Sequence, residues 1–307
     1  MKFLPEGNLI ATPQNQYYLK NIDTLREAFL SKKILEARAF RCDNNHDLHI
    51  DLGEVEGIIP RENGAIGLDD GSVRDIAVIS KVNKPVTFVI DRFEKTEDGK
   101  IKAVLNRKTV QEKCLEDYIS RLCGGDIIDA KVCHMENFGV FADIGAGINS
   151  LLPIDSISVS RIPHPSARFS SGQNIKAIVK SRDEFGRIVL SHKELLGTWE
   201  ENSSRFTVGD TVSGIVRSIE KYGIFVELSP NLAGLAEYAD NITPGQNACV
   251  YIKSIIPERM KIKLIIVDSF DAHYTKPTTE YFCHDKHISY WKYSPDDSEK
   301  TIESFFE

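Results

Sequence analysis

Apolar and polar residues alternate in short runs through most of the chain, and glycine, asparagine and proline break those runs every few residues. In GDIIDAKVCHMENFGVFADIGAGINSLLPIDSI the alternation predicts strands over 127–135, 139–145 and 149–153. Two further runs follow at 173–181 and 187–191. Five short strands rich in β-branched residues predict an antiparallel module, and closing them into a small barrel leaves few open edges. Helical signals are confined to connections. Asp23 is placed to cap a segment running to about residue 31, Thr109 to cap 110–122, and 194–204 predicts a third short spacer.

The same organisation returns 84 residues later in GDTVSGIVRSIEKYGIFVELSPNLAGLAEYAD. Gly125 and Asp126 correspond to Gly209 and Asp210, while Phe138, Gly139 and Phe141 correspond to Tyr222, Gly223 and Phe225. Each copy then reaches a Gly-Gln pair and an apolar-basic strand, GQNIKAIVKS and GQNACVYIKS. This is an internal repeat. A weaker first copy precedes both, with strand, polar turn, strand and glycine-led return in ILEARAFRCDNNHDLHIDLGEVEGIIP, and a second half in PVTFVIDRFEKTEDGKIKAVLNRK. It lacks the aromatic-Gly-x-aromatic signal.

A length of 307 residues suits two to four small domains, and 41% hydrophobic with 27% charged residues is ordinary for a globular chain. No run approaches 18 apolar residues, and MKFLPEGNLIATPQNQYY lacks the apolar core of a secretory signal, so a cytoplasmic protein with no membrane partner is expected. The six cysteines form no close CxxC pair. Cys283, His284 and His287 in the tail offer metal ligands without an evident fourth, and neither a metal nor a cofactor is expected. The net charge of −7 lowers the expected nonspecific affinity for polyanions. That charge is uneven: residues 124–196 carry eight basic and eight acidic side chains, whereas 271–307 carry four and eight. No HExxH site, P-loop, Rossmann fingerprint or GxSxG elbow is present, so a binding protein rather than an enzyme is expected.

These repeated segments resemble the S1 RNA-binding domain family, and their linked order is similar to short bacterial ribosomal protein S1-like proteins. The resemblance implies a mainly β fold of tandem OB-like five-stranded S1 barrels joined by short helices, with a divergent N-terminal copy. The expected divisions are an N-terminal arm and helix over 1–32, a divergent S1-like domain over 33–110, a helical linker over 111–123, S1 domains over 124–195 and 207–269 separated by a linker at 196–206, and an acidic extension over 270–307. The family's binding role falls on Phe138 and Phe141, on Tyr222 and Phe225, and on Asp183 and Arg187. At the position where the family commonly has His, this chain has Pro153 and Glu237, and Glu237 repels phosphate.

Strict strand alternation puts residues 138 and 141 on opposite faces. A bend or bulge at Gly139 resets the phase and turns both rings outward as a stacking platform for unpaired bases, and Gly223 is placed to do the same. Buried packing is the competing reading for either ring. Lys176, Lys180 and Arg187 are the cations available to phosphates in the middle copy, with Asp183 to orient Arg187. In the last copy they are Arg217, Lys253, Lys261 and Lys263. His134, the SARFSSG stretch with Arg161, His164 and Arg168 near it, and Arg38, Arg41, His46 and His49 of the first copy are further contact candidates, each equally readable as packing or solvated surface. In the tail, HISYWKY predicts a short strand. Its aromatics either pack on the last barrel or leave Trp291, Tyr293, Phe305 and Phe306 as a protein-docking patch. Single-stranded or locally unpaired RNA, mRNA or rRNA, is the expected partner, together with the ribosome or RNA-processing proteins. The alternative is a structural or regulatory protein-interaction module that has lost RNA affinity.

Overall fold

Three stretches of alternating residues close into three five-stranded barrels that share one strand order. The structure, a computed structural model, describes residues 3–96, 98–271 and 279–306. The chain opens with two helices, α1 (Pro13–Tyr18) and α2 (Ile22–Leu30). Asn21, not Asp23, caps α2: its side chain accepts from the Asp23 and Thr24 N–H groups, and the Thr24 hydroxyl returns a bond to the cap backbone.

The first barrel comprises β1 (Leu35–Cys42), β2 (Leu48–Asp51), β3 (Glu56–Ile59), β4 (Pro85–Lys95) and β5 (Ile101–Asn106), in the closed order β1-β2-β3-β5-β4. Leu35, Leu48, Ile50, Phe88 and Leu105 fill it, and Leu25 and Ala28 of α2 join the same core. A one-turn helix, α3 (Ile76–Ile79), lies in the β3–β4 connection, and α4 (Lys108–Asp117) follows β5. Thr109 does not cap α4 but lies inside it, and its N–H donates to the Asn106 side chain at 2.8 Å, while Arg107, the residue before the helix, makes no side-chain cap.

The second barrel is built from β6 (Ile127–Glu136), β7 (Gly139–Asp143), β8 (Asn149–Pro153), β9 (Asn174–Arg182) and β10 (Ile188–Ser191), closing in the equivalent order. The strand expected to reach residue 145 stops at Asp143. There the carboxylate accepts from the N–H groups of Gly145 and Gly147 and folds the chain into a turn. The spacer that follows is shorter than 194–204. Residues Lys193–Leu196 form a 3-10 turn, and α5 (Trp199–Ser203) begins at a capping box made by Thr198 and Glu201. Trp199 enters the core of the third barrel, which consists of β11 (Thr211–Glu220), β12 (Gly223–Ser229), β13 (Leu232–Ala236), β14 (Asn247–Ile256) and β15 (Lys261–Phe270).

The tail is folded beyond its acidic composition. β16 (Tyr290–Lys292) pairs with β17 (Glu303–Phe305), and Trp291 and Tyr293 belong to the third barrel's core. Phe306 packs with Ile178 and Leu195. The expected docking patch is therefore not formed: of its four aromatics only Phe305 is exposed. Residues 272–278 of the extension lie outside the described residues.

Two compact units emerge from the contacts. One is Met1–Leu122 with Asp129–Lys131 and Asp143–Asn149. The other is Cys123–Ile128, Val132–Ala142 and Ser150–Glu307. In the first unit, Glu6 is buried against Arg107, whose Nε donates to it at 2.7 Å, and against Lys81, whose Nζ is also 2.7 Å away. Among the described residues no helix is long and apolar enough to cross a membrane.

Candidate nucleic-acid interface

The β11–β12 ladder ends at the pair Glu220–Gly223, which leaves Lys221 and Tyr222 as a two-residue turn. The second barrel repeats this: β6 ends at Glu136 and β7 begins at Gly139, so Asn137 and Phe138 make the turn. The phase of the rings is therefore set by the hairpin turn and not by a bulge at the glycine. Phe138 and Tyr222 stand outside strand alternation and are 56% and 69% exposed. Phe141 and Phe225 take outward strand positions between buried neighbours and are half-buried. In each barrel the outer ring meets the inner one edge-on, at centroid distances of 6.0 and 6.1 Å.

The glycines serve close approach. A Cβ on Gly139 lies 2.5 Å from the Leu152 carbonyl oxygen, and one on Gly223 lies 2.4 Å from that of Ala236. Any side chain at either site pushes the neighbouring strand away from beneath the rings. Gly223 in addition has φ 147°, whereas Gly139 needs no left-handed backbone.

A repeated irregularity turns one lysine out of the ladder in each of the two barrels. Between β9 and β10, Ser181 and Val179 pair with consecutive residues, so Lys180 is bulged out of the ladder. Between β14 and β15 the same happens to Lys253. Lys180 donates to Ser156 just beyond β8, close to where the Ile154 N–H donates to the Phe138 carbonyl. Lys253 sits 3.5 Å from Glu237, the residue after β13. Both lysines thus lie at the end of the barrel that carries the outer ring. Glu237 is 85% exposed and competes there for Lys253, while Pro153 in the second barrel leaves Lys180 without an acidic rival at that position.

Further along the face, Phe225 pairs with Leu235 and Leu235 with Lys263, placing ring and cation on one transverse row. Lys261, two residues earlier, is also exposed. In the second barrel, Val189 takes the Lys263 position beside Leu151, and Arg187 precedes it. The Asp183 carboxylate accepts from the Arg187 Nε at 2.7 Å and from the N–H groups of Phe185 and Arg187. Partial desolvation works against its charged form, but these donors prevail and hold the carboxyl below its ordinary value. The turn also presents Phe185, 72% exposed, beneath the Arg187 guanidinium at 4.9 Å. Sequence alternation missed Phe185 because it lies in a turn; the DxFxR spacing, an Asx turn exposing its third residue, is the signal that marks it.

One expectation needs correction. Arg217 is not presented to a phosphate on the open face: its side chain is 10% exposed, and its Nε and Nη2 both donate to Glu227. Lys176 is exposed on β9, and Ile178, between it and Lys180, is covered by Leu195 and Phe306. In the SARFSSG stretch the structure shows packing: Phe169 is fully buried and Arg168 is paired with Glu227. His134 is exposed and paired with Glu136, and the tail's His287 bonds Asp126. Among the described residues no His, Cys, Asp or Glu cluster can hold a metal ion.

Residues 124–193 match the family model described as S1 RNA binding domain. The chain carries an S1 RNA-binding domain. That match covers the second barrel, the one in which two phenylalanines, a bulged lysine and the Asp183–Arg187 turn share a barrel. Over 292 residues the chain is 29% identical to small ribosomal subunit protein bS1 of Rhizobium meliloti (strain 1021), covering 84% of this chain and 50% of that protein. Over 264 residues it is 27% identical to bS1 of Staphylococcus aureus (strain COL), covering 80% and 64%. The chain thus spans only part of the length of each relative. A solved multidomain protein with nucleic acid binding domains from Streptococcus pneumoniae aligns over 78% of this chain and 75% of its own, at 13% identity and a TM-score of 0.25.

The S1 geometry also shows what the first barrel has changed. His49, paired with Ile58 across the ladder, stands where Phe225 stands beside Leu235. It is buried between Asp43 and Glu56 and contacted by Arg41. Asp91 is the residue bulged out between β4 and β5, at the position of Lys180 and Lys253. The first barrel shares the strand order of the other two, but its ring at this position is the buried His49, 6.0 Å from the exposed Phe40, and its bulged residue is acidic.

Proposed function

We propose that this chain binds single-stranded or locally unpaired RNA, without catalysing a reaction on it, through the outward faces of the second and third barrels. The observation that carries this reading is the duplicated ring pair: in two barrels a turn aromatic stands edge-on to a strand aromatic, with a bulged lysine at the same end. Exposed rings offer bases a stacking surface worth about 1 to 3 kcal/mol each, and every base has a face to stack. Regular duplex RNA keeps its bases out of reach. The S1 match supports RNA over DNA. The similarity to bS1, a small-subunit ribosomal protein, supports a cytoplasmic setting in translation or RNA metabolism, with mRNA or rRNA as the target and ribosomal or RNA-processing proteins as partners. Asp183, Arg187 and Lys180 serve the second barrel, and Lys253, Lys261 and Lys263 the third. In the first barrel the buried His49 and the bulged Asp91 stand where the strand ring and the lysine stand in the other two, so RNA contact is assigned to the second and third barrels.

Equilibrium binding of an unstructured RNA and of a duplex of matched length, across a salt series, tests the proposal. The unstructured RNA should bind more tightly, with a log-log salt slope of about −3 to −4 if five cations each neutralise one phosphate. Equal, weak binding of both forms contradicts stacking.

A further inference from the structure

β12 carries Phe225 and Glu227 at alternate positions on its outward face, yet Glu227 is only 5% exposed. Two guanidiniums close over its carboxylate. Arg217 donates from Nε and Nη2 at 2.8 and 2.9 Å, and Arg168 from Nη1 and Nη2 at 2.8 and 2.5 Å. The Arg168 Nε is buried with no partner. Beside this triad lies a cavity of about 350 Å³ lined by Arg168, Arg205, Arg217, Glu227, Asn247 and Phe282, among others. The Arg205 guanidinium lies 4.5 Å over the Phe282 ring, and its fork grips Glu280 through two bonds of 2.8 Å. Among the described residues that line the cavity, three guanidiniums face two carboxylates, leaving one excess positive charge.

The two ion-pair groups differ in how readily they exchange. Arg168, Glu227 and Arg217 are each at least nine-tenths buried, and separating them leaves a charge unpaired away from water. Arg205 and Glu280 are 41% and 65% exposed, and such solvent-facing pairs are weakly held. A phosphate offers a guanidinium fork the same two acceptor oxygens as a carboxylate, and stacking on Phe282 fixes the fork's plane. The cavity begins about 7 Å beyond Phe225, two residues along β12.

We propose that this cleft is a phosphate-binding subsite for the RNA strand leaving Tyr222 and Phe225, in which Arg205 exchanges Glu280 for a backbone phosphate. The assignment rests on the RNA-binding reading above. Glu280 is then a built-in competitor, and the buried triad supplies a fixed positive wall.

Affinities of the full chain for unstructured RNAs of about four and about ten nucleotides separate the ring platform from the cleft. On the longer RNA, Arg205→Ala should weaken binding about threefold to tenfold and make the salt slope shallower by about 0.7. Arg205→Lys should fall between that variant and wild type, and Glu280→Gln should tighten binding about threefold. None should alter affinity for the short RNA. Wild type that binds the longer RNA while all three variants match it overturns the subsite alone. Wild type that binds neither RNA overturns the RNA reading and the subsite with it.

Discussion

Replacing both Phe138 and Phe141 by alanine is expected to weaken binding to unstructured RNA by about 2 to 4 kcal/mol, or about 30-fold to 700-fold. Phe138 occupies a turn and is 56% exposed, and Phe141 points outward from β7, so neither ring supports the barrel's interior. That interior is held by Val140, Ala142, Leu152, Ile175, Val179 and Leu190, all buried, and the double variant should remain folded. Fluorescence anisotropy with a labelled RNA reads the affinity, and circular dichroism reads the fold. Phe138→Tyr should restore much of the loss, because a phenol stacks as a phenyl ring does. A folded double variant with wild-type affinity would remove the second barrel's face from the binding surface. Tyr222→Ala should act in the same direction with a smaller effect, since Glu237 already competes for Lys253 beside that ring.

The second large effect concerns the first unit and does not involve RNA. Glu6 and Arg107 are 5% and 2% exposed, and the glutamate also bonds Lys81 and the Thr87 N–H. Arg107→Met leaves a buried carboxylate with one cation fewer and should cost about 3 to 5 kcal/mol. Hydrogen exchange of the β1 and β5 amides should register that loss. Acid should produce a related effect. Burial alone opposes the Glu6 charge, but Arg107 and Lys81 outweigh it and hold the carboxyl far below its ordinary value of 4.5, near about 2. Because the folded value is depressed, this contribution is complete above pH about 4.5 and is lost as pH falls toward 2. Asp143 acts with the opposite sign. Burial and the neighbouring Glu6 push it up from 3.8 to about 6, so its ionised form costs stability, and that cost is relieved as pH falls from about 6 to about 4. Protection of the first unit should therefore rise on mild acidification and then fall, and Asp143→Asn should reduce the rise, leaving the part due to Glu36, whose carboxyl burial also pushes up.

Most strands were legible because alternation records which face of a strand is buried, and β8 begins and ends where the pattern places it. The ring pair was legible because it occurs twice at the same place in the repeat. What alternation does not record is contact from far along the chain. Glu227 sits at an outward position and reads as solvated; Arg168, 59 residues earlier, buries it and thereby engages the carboxylate that also holds Arg217. Lys176 and Lys180 both read as phosphate contacts, and nothing local marks that Phe306 covers the isoleucine between them. Helix caps were misplaced for a local reason. Asn21 and Asp23 are both good caps, and the choice was decided by Thr24 completing a capping box with Asn21.

Ultraviolet crosslinking of a uridine oligomer to the full chain, followed by peptide mapping, tests most directly whether bases stack where the rings are. Adducts at Phe138 or Phe141, with a second set at Tyr222 or Phe225, are the expected result. Adducts confined to the first barrel or the tail, with the hairpin turns of the second and third barrels unmodified, would contradict it.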